Sequence, residues 1–181
     1  MKLFSNNIIF LDTEFSSLDP YKGEILSIGL VKTNGEELYL ELEYEGEVDE
    51  WVKVNIIPTL KEQKVKRGEA IKIIKDFIGD TKPYMVGYVN HFDSIYWHKL
   101  YKSAGFKDNP FYWIPIDFAS MLFALGINPE IMSQNYYSED KINFYKKIEV
   151  DITKYKQHHA LDDAKLLREV YLKLVKTKFD I

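Results

Sequence analysis

The chain has 181 residues, a net charge of −4 and no cysteine, with 46% hydrophobic and 29% charged residues. This composition suits one globular domain with its own core and excludes disordered, collagen-like and coiled-coil chains. Without cysteine there is no disulfide framework, thiolate metal site or thiol nucleophile. No apolar run approaches the roughly 20 residues of a membrane span, and the opening MKLFSNN lacks the apolar centre of a secretion signal; a cytoplasmic location is the expectation. The acidic balance argues against a simple electrostatic nucleic-acid binder. It leaves room for an enzyme whose phosphate-facing charge comes from bound metal. Nearly all basic residues are lysine, with Arg67 and Arg168 the only arginines.

In chain order, residues 8–11 (Ile-Ile-Phe-Leu) form a short apolar run suited to a strand buried on both faces. It ends in Asp12-Thr13-Glu14. Residues 24–32 read as a second strand, and Thr33-Asn34-Gly35 as the turn after it. Residues 37–44 alternate, with Leu38, Leu40, Leu42 and Tyr44 on one face, so a strand with one wet face is expected. The period then changes. A short helix around residues 51–56 stops at Pro58. Residues 67–78 place Ala70, Ile71, Ile74, Phe77 and Ile78 on one helical face, closed by Gly79. Residues 83–89 read as a buried strand, 92–103 as a helix, 113–116 as a short strand and 117–125 as a helix. Residues 128–157 have weak periodicity and read as an irregular or partly helical excursion with no core of its own. Residues 160–177 form a final amphipathic helix. Antiparallel strands followed by alternating strand and helix predict an α/β fold, a mixed sheet covered by helices.

Three places carry candidate chemistry. Asp12 and Glu14 sit two apart at the end of the first strand, so both carboxylates share a face. Two such charges beside an apolar run repel unless a cation lies between them. Asp93 opens the helix after the buried strand at 83–89; a first-turn acid there also suits the helix dipole. The third place is His158-His159-Ala160-Leu161-Asp162-Asp163. Asp163 precedes Leu166 and Leu167 by three and four residues and points inward with them, whereas Asp162 shares the outer face with Lys165 and Glu169. An unpaired acid on an apolar face costs several kcal/mol and calls for a cation. Four carboxylates and a histidine therefore lie at element ends where they can converge. Oxygen-only ligands select Mg2+ or Mn2+, and two such ions form the clamp for in-line attack on a phosphodiester. A histidine with a pKa near ~6.5 suits removal of a proton from water.

At these residues the sequence resembles the DEDDh-type 3′–5′ exonucleases of the RNase H-like superfamily. Their Asp-x-Glu motif matches Asp12-Thr13-Glu14, their second Asp matches Asp93, and their His-x4-Asp motif matches His158 through Asp163. Within that superfamily the chain is most similar to RNase AS, the polyadenylate-specific 3′-exoribonuclease family. Residues 12–15 and 25–31, Trp51-Val52 with Asn55-Ile56-Ile57-Pro58, and the His-x-Ala-Leu-Asp-Asp form of the last motif carry that likeness. The resemblance implies an RNase H-like fold with a five-stranded mixed sheet of order 3-2-1-4-5, strand 2 antiparallel. It implies Asp12, Glu14, Asp93 and Asp163 as ligands of two divalent cations, Mg2+ or Mn2+. His158 is the implied general base, with His159 one residue out of register as the alternative. It further implies single-stranded nucleic acid as substrate, RNA ahead of DNA, a preference for poly(A), release of 5′-mononucleotides and, in many members, a homodimer.

In this superfamily the residues after the Asp-x-Glu motif lie along the 3′-terminal nucleotide. Phe15 and Leu18 are therefore candidate substrate-binding residues, and Trp97, one helical turn after Asp93, is a candidate base-stacking residue. Core packing is the competing role for Phe15 and Trp97. Two further functional readings stay open: a DNA or short-oligonucleotide exonuclease, and a non-catalytic nucleic-acid-binding module on the same fold.

Overall fold

The computed structural model describes residues 4–135 and 137–179. Residues 1–3 of the opening segment and residue 136 in the excursion lie outside the described residues. Three strands lead, β1 (Ile8–Phe15), β2 (Ile25–Lys32) and β3 (Glu37–Leu42), followed by helix α1 (Glu50–Asn55). A two-residue strand β4 (Lys64–Val65) precedes helix α2 (Arg67–Ile78). Strand β5 (Tyr84–Gly87), helix α3 (His91–Ser103), strand β6 (Ile116–Asp117) and helix α4 (Phe118–Ala124) come next. Helices α5 (Glu139–Lys147) and α6 (Ala160–Phe179) complete the order.

The sheet runs β4-β3-β2-β1-β5-β6. Strand β2 is antiparallel to both β1 and β3, while β5 runs parallel to β1 and β6 parallel to β5. The five expected strands keep their expected order, and the strand count is corrected from five to six. The addition is β4, parallel to β3 at the sheet edge; two residues are too few to show a period. The strand expected at 113–116 is paired only at Ile116–Asp117, and Trp113 is exposed. Among the described residues, no helix is long and apolar enough to cross a membrane.

Strand β1 is central and buried on both faces, as its apolar run requires. Ile9 and Leu11 join a cluster with Ile71 and Ile74 of α2 and with Trp97 and Leu100 of α3. Ile8 and Phe10 join the opposite cluster, with Leu167, Val170 and Tyr171 of α6. The 128–157 segment contributes to that second cluster through Ile131, Tyr145 and Val150. It is partly helical, as expected, and it covers the core of the main sheet.

Two devices seat α6 against the sheet. Arg168 donates from Nε and Nη2 to the carbonyls of Lys32 and Thr33, at 2.7–3.1 Å, clasping the turn between β2 and β3. Gly29 on β2 lets the start of the helix come close. A Cβ there would stand 2.3 Å from the carbonyl oxygen of Ala160 and 2.4 Å from the Leu161 nitrogen. Both are backbone atoms that cannot rotate away. Gly29→Ala is therefore expected to destabilise the fold by about 1–3 kcal/mol, the usual cost of overpacking. Gly68→Ala in the first turn of α2, where an added Cβ meets nothing within 4 Å, should stabilise by about 0.5–1 kcal/mol. Urea denaturation of the two variants measures both signs.

Candidate active site

The alternation of β1 distributes its polar end between two faces. Asp12 and Glu14 follow Phe10 onto the α6 side; Thr13 follows Leu11 onto the α3 side. Asp163, four residues into α6, faces the first pair across the gap that Gly29 leaves closed. One carboxylate oxygen each from Asp12, Glu14 and Asp163 lie within 4.8 Å of one another. Asp93 joins from the other side. It sits in the first turn of α3, is buried, and accepts a 2.7 Å hydrogen bond on Oδ1 from the Thr13 hydroxyl. The residue between the two strand acids thus tethers the fourth.

Burial and mutual repulsion dominate the electrostatics. Burial pushes Asp12 well above the ordinary carboxylate range, and Asp163, Asp93 and Glu14 push it further. Glu14 is raised to about 8, by burial first and then by Asp163 and Asp93. Burial raises Asp93 to about 7 against the hydrogen bond from Thr13. Asp163 is likewise raised to about 7 by burial, although the backbone N–H groups of His159 and His158 oppose the change. Such a set of oxygen donors, held together against its own charge, fits hard divalent cations.

The turn before α6 places two histidines differently. His158 adopts a left-handed backbone (φ 58°), a conformation costing a non-glycine residue roughly 1–2 kcal/mol. Its carbonyl accepts from the Thr59 hydroxyl at 3.2 Å. Its half-buried ring meets the Trp51 ring edge to face at 5.0 Å, and burial together with the Lys141 charge lowers its pKa. His159 donates its backbone N–H to Asp163 Oδ2 at 3.2 Å. Its ring stacks on Tyr39 at 4.6 Å, with Nδ1 3.7 Å from Asp162. Asp162 itself accepts from the Lys156 backbone and stands outside the carboxylate cluster.

The structure brings together Asp12, Glu14, Asp93 and Asp163, and His158 lies at the turn before α6 with its backbone N–H toward Asp163. Leu18 is 63% exposed on the segment after β1. Phe15 is half-buried, stacked on Tyr96 at 4.4 Å and packed against the core cluster. Trp97 is a correction: it is fully buried with its indole N–H on Asn109, so it offers no face to a base. Its position on α3 turns it under the helix with Leu100, away from the helix end where Asp93 lies. Sequence reading missed Thr13, whose flanking acids masked its role. It also missed Trp51 as a site residue: the indole is 55% exposed beside His158, which only the fold brings near.

The raised carboxyl pKa values set the sign of a pH dependence. Unfolded carboxyls titrate near 4, so the folded protein holds extra protons between about pH 4 and the folded values of about 7 to 8. The metal-free protein therefore loses stability as pH rises through that window. In EDTA the melting temperature should fall between pH 5 and pH 8. Mn2+ should raise it more at pH 8 than at pH 5, because only the ionised cluster binds the cation. Scanning calorimetry at both pH values measures the two differences.

Comparison with known proteins agrees with this geometry. A family model described as Exonuclease, of the RNase T type, matches residues 9–171. Comparison with curated protein sequences found no significant match. Among solved structures, the nuclease domain of 3′hExo, a DEDDh family member bound to rAMP, superposes with a TM-score of 0.70 at 13% identity, over 96% of this chain and 94% of that one. The Escherichia coli exonuclease I–ssDNA complex gives 0.68 at 15% identity, with this chain spanning 41% of that protein. A 3′-exonuclease recognising the histone mRNA stem-loop gives 0.70 at 12% identity over 65% of its chain. At these identities the superpositions establish the shared fold. With the family match running across nearly the whole sheet and both ends of the carboxylate cluster, the chain belongs to the exonuclease family.

Proposed function

We propose that this exonuclease is a DEDDh-type 3′–5′ exoribonuclease that removes 5′-mononucleotides from single-stranded RNA with two divalent cations, Mg2+ or Mn2+. The observation carrying the reading is the cluster itself: three carboxylates with oxygens within 4.8 Å, a fourth tied to the same strand by Thr13, and His158 at the turn feeding the last ligand. The ribonucleotide held by the 3′hExo nuclease domain supports an RNA 3′ end as substrate, while the ssDNA held by exonuclease I keeps DNA as the competing substrate. The likeness to RNase AS supports a preference for poly(A).

Asp12, Glu14, Asp93 and Asp163 would hold the cations. When bound, these supply Lewis acidity, acidifying the attacking water and offsetting charge on the phosphate and the leaving oxygen. The protein's own groups do the rest. Thr13 holds Asp93 in place. The backbone N–H of His159 orients Asp163. His158, kept neutral by burial and by the nearby Lys141 charge, accepts the proton of the attacking water on a ring nitrogen. The His159 ring lies stacked on Tyr39, which favours His158 for that role. The exposed Trp51 face beside His158 is a platform for the terminal base, and Leu18 projects from the segment expected along the terminal nucleotide.

The test is digestion of 5′-labelled oligo(A), oligo(U) and DNA with Mn2+, Mg2+ or EDTA. A metal-dependent ladder shortening from the 3′ end is expected, fastest on oligo(A). Asp12→Ala and Asp163→Ala should abolish it while the fold survives; full activity in both would overturn the reading. His158→Ala should lower kcat by about 10²–10⁴-fold, the usual worth of a general base, against less than about 10-fold for His159→Ala. Trp51→Ala should raise KM for RNA by about 5–150-fold, the equivalent of the roughly 1–3 kcal/mol of a base–aromatic stack.

A further inference from the structure

Helix α5 lies in the segment for which the sequence suggests no purpose, yet two polar side chains on it are buried. Lys141 is 4% exposed and Tyr145 is 2% exposed. Four residues apart, they share one face of the helix. Tyr145 packs in the same cluster as Ala164 and Leu167 of α6, the residues one and four positions beyond Asp163. The Lys141 ammonium donates to the carbonyls of Met132 at 2.7 Å and Gln134 at 2.9 Å. These bonds fix its position and use two of its three protons.

The Tyr145 phenol oxygen is buried without a hydrogen-bond partner among the described residues. Tyr88 is the first polar group to act on the Tyr145 phenol and the Asp163 carboxylate the second; Asp163 also acts on Lys141, and the Lys141 charge reaches His158. A buried hydroxyl left unpaired costs about 1–3 kcal/mol. Phenylalanine would fill the same space without that cost. The Tyr88 hydroxyl donates to the Pro129 carbonyl at 2.6 Å, and Asp163 is the charged acceptor near the phenol, so a tyrosine here implies a partner on the Asp163 side.

We propose that Tyr145 and Lys141 are positioning residues for the Asp163 end of the site: the Tyr145 hydroxyl donates toward the Asp163 carboxylate in its cation-ligating orientation, and the fixed Lys141 ammonium draws that carboxylate and the His158 turn to the same side. This rests on the exonuclease reading and assigns α5 a role in it. Groups that orient a metal ligand in this way commonly change metal affinity or activity by about 10–100-fold when removed.

The experiment uses the full chain with Tyr145→Phe, Lys141→Met and Lys141→Arg. Mn2+ binding is measured by calorimetry without substrate, melting temperature in EDTA, and kcat and KM on labelled oligo(A). Tyr145→Phe should fold with a metal-free melting temperature at or above that of the wild type. Its Mn2+ affinity and its kcat should each fall about 10-fold or more, with KM unchanged. Lys141→Met should lower kcat, and Lys141→Arg should restore part of the loss. If Lys141→Met fails to fold, Tyr145→Phe decides alone. Wild-type Mn2+ affinity and kcat in Tyr145→Phe would overturn this inference while leaving the exonuclease intact. A wild type that neither binds Mn2+ nor cuts any strand would overturn the exonuclease reading and this inference with it.

Discussion

Four carboxylates crowded into one half-buried corner set the terms for the surrounding structure. Each loses hydration on burial and feels the others' charge, a combination worth several kcal/mol against folding wherever the groups are ionised. The chain must hold them together by interactions elsewhere. Strand β1 does so through its ladder to β2, which runs as far as Phe15; β5 pairs only Ile8–Phe10 and leaves the acid-bearing end open on that side. Helix α6 does so by burying Leu167, Val170, Tyr171, Leu174 and Val175, each worth about 1.5–3 kcal/mol. That apolar stripe, with the Arg168 clasp, exceeds both the repulsion at the helix start and the left-handed turn at His158. Strain at a functional site is held in place by packing that lies away from it.

The same logic explains why the contributing elements come from such different parts of the chain. Asp12 and Glu14 require a period-two element with one face open; Asp93 and Asp163 require helix starts, where backbone N–H groups favour negative charge. Thr13 links the two arrangements, since it occupies the strand position pointing opposite to the flanking acids. Gly29 is the steric condition that closes the assembly: without a side chain there, the α6 N-terminus rests on the sheet and Asp163 reaches the strand acids. A single missing methyl group thus governs the spacing of three carboxylates.

Much of this was legible in the sequence, and the reason is local. Helix α2 matches its expected span because its apolar positions repeat with helical period and Gly79 ends it. The carboxylate cluster was legible because carboxylates at strand ends and helix starts are conspicuous against apolar runs, and because their joint spacing resembles a known superfamily. The direction of Asp163 followed from its offset to Leu166 and Leu167. By contrast, Trp97 shows where position along a helix misleads. One turn after Asp93 it was a stacking candidate, yet the rotation that aims the helix start at the site turns the indole into the core. Strand β4 and the true length of β6 were invisible because two residues carry no period.

The sequence by itself thus determined the order and type of the main elements, the two-faced burial of β1, and which carboxylates stand at element ends where they can cluster. Those properties depend on neighbours within one or two turns of chain. Only the tertiary structure decided what meets across long separations: Thr13 with Asp93, Trp51 with His158, Gly29 with the start of α6, and Tyr145 of α5 with Ala164 and Leu167 of α6. Such contacts depend on how helices pack and how far each is rotated about its axis, and no local period encodes that rotation. The segment 128–157, nearly featureless as sequence, covers the sheet through Ile131, Tyr145 and Val150, which join the α6 cluster.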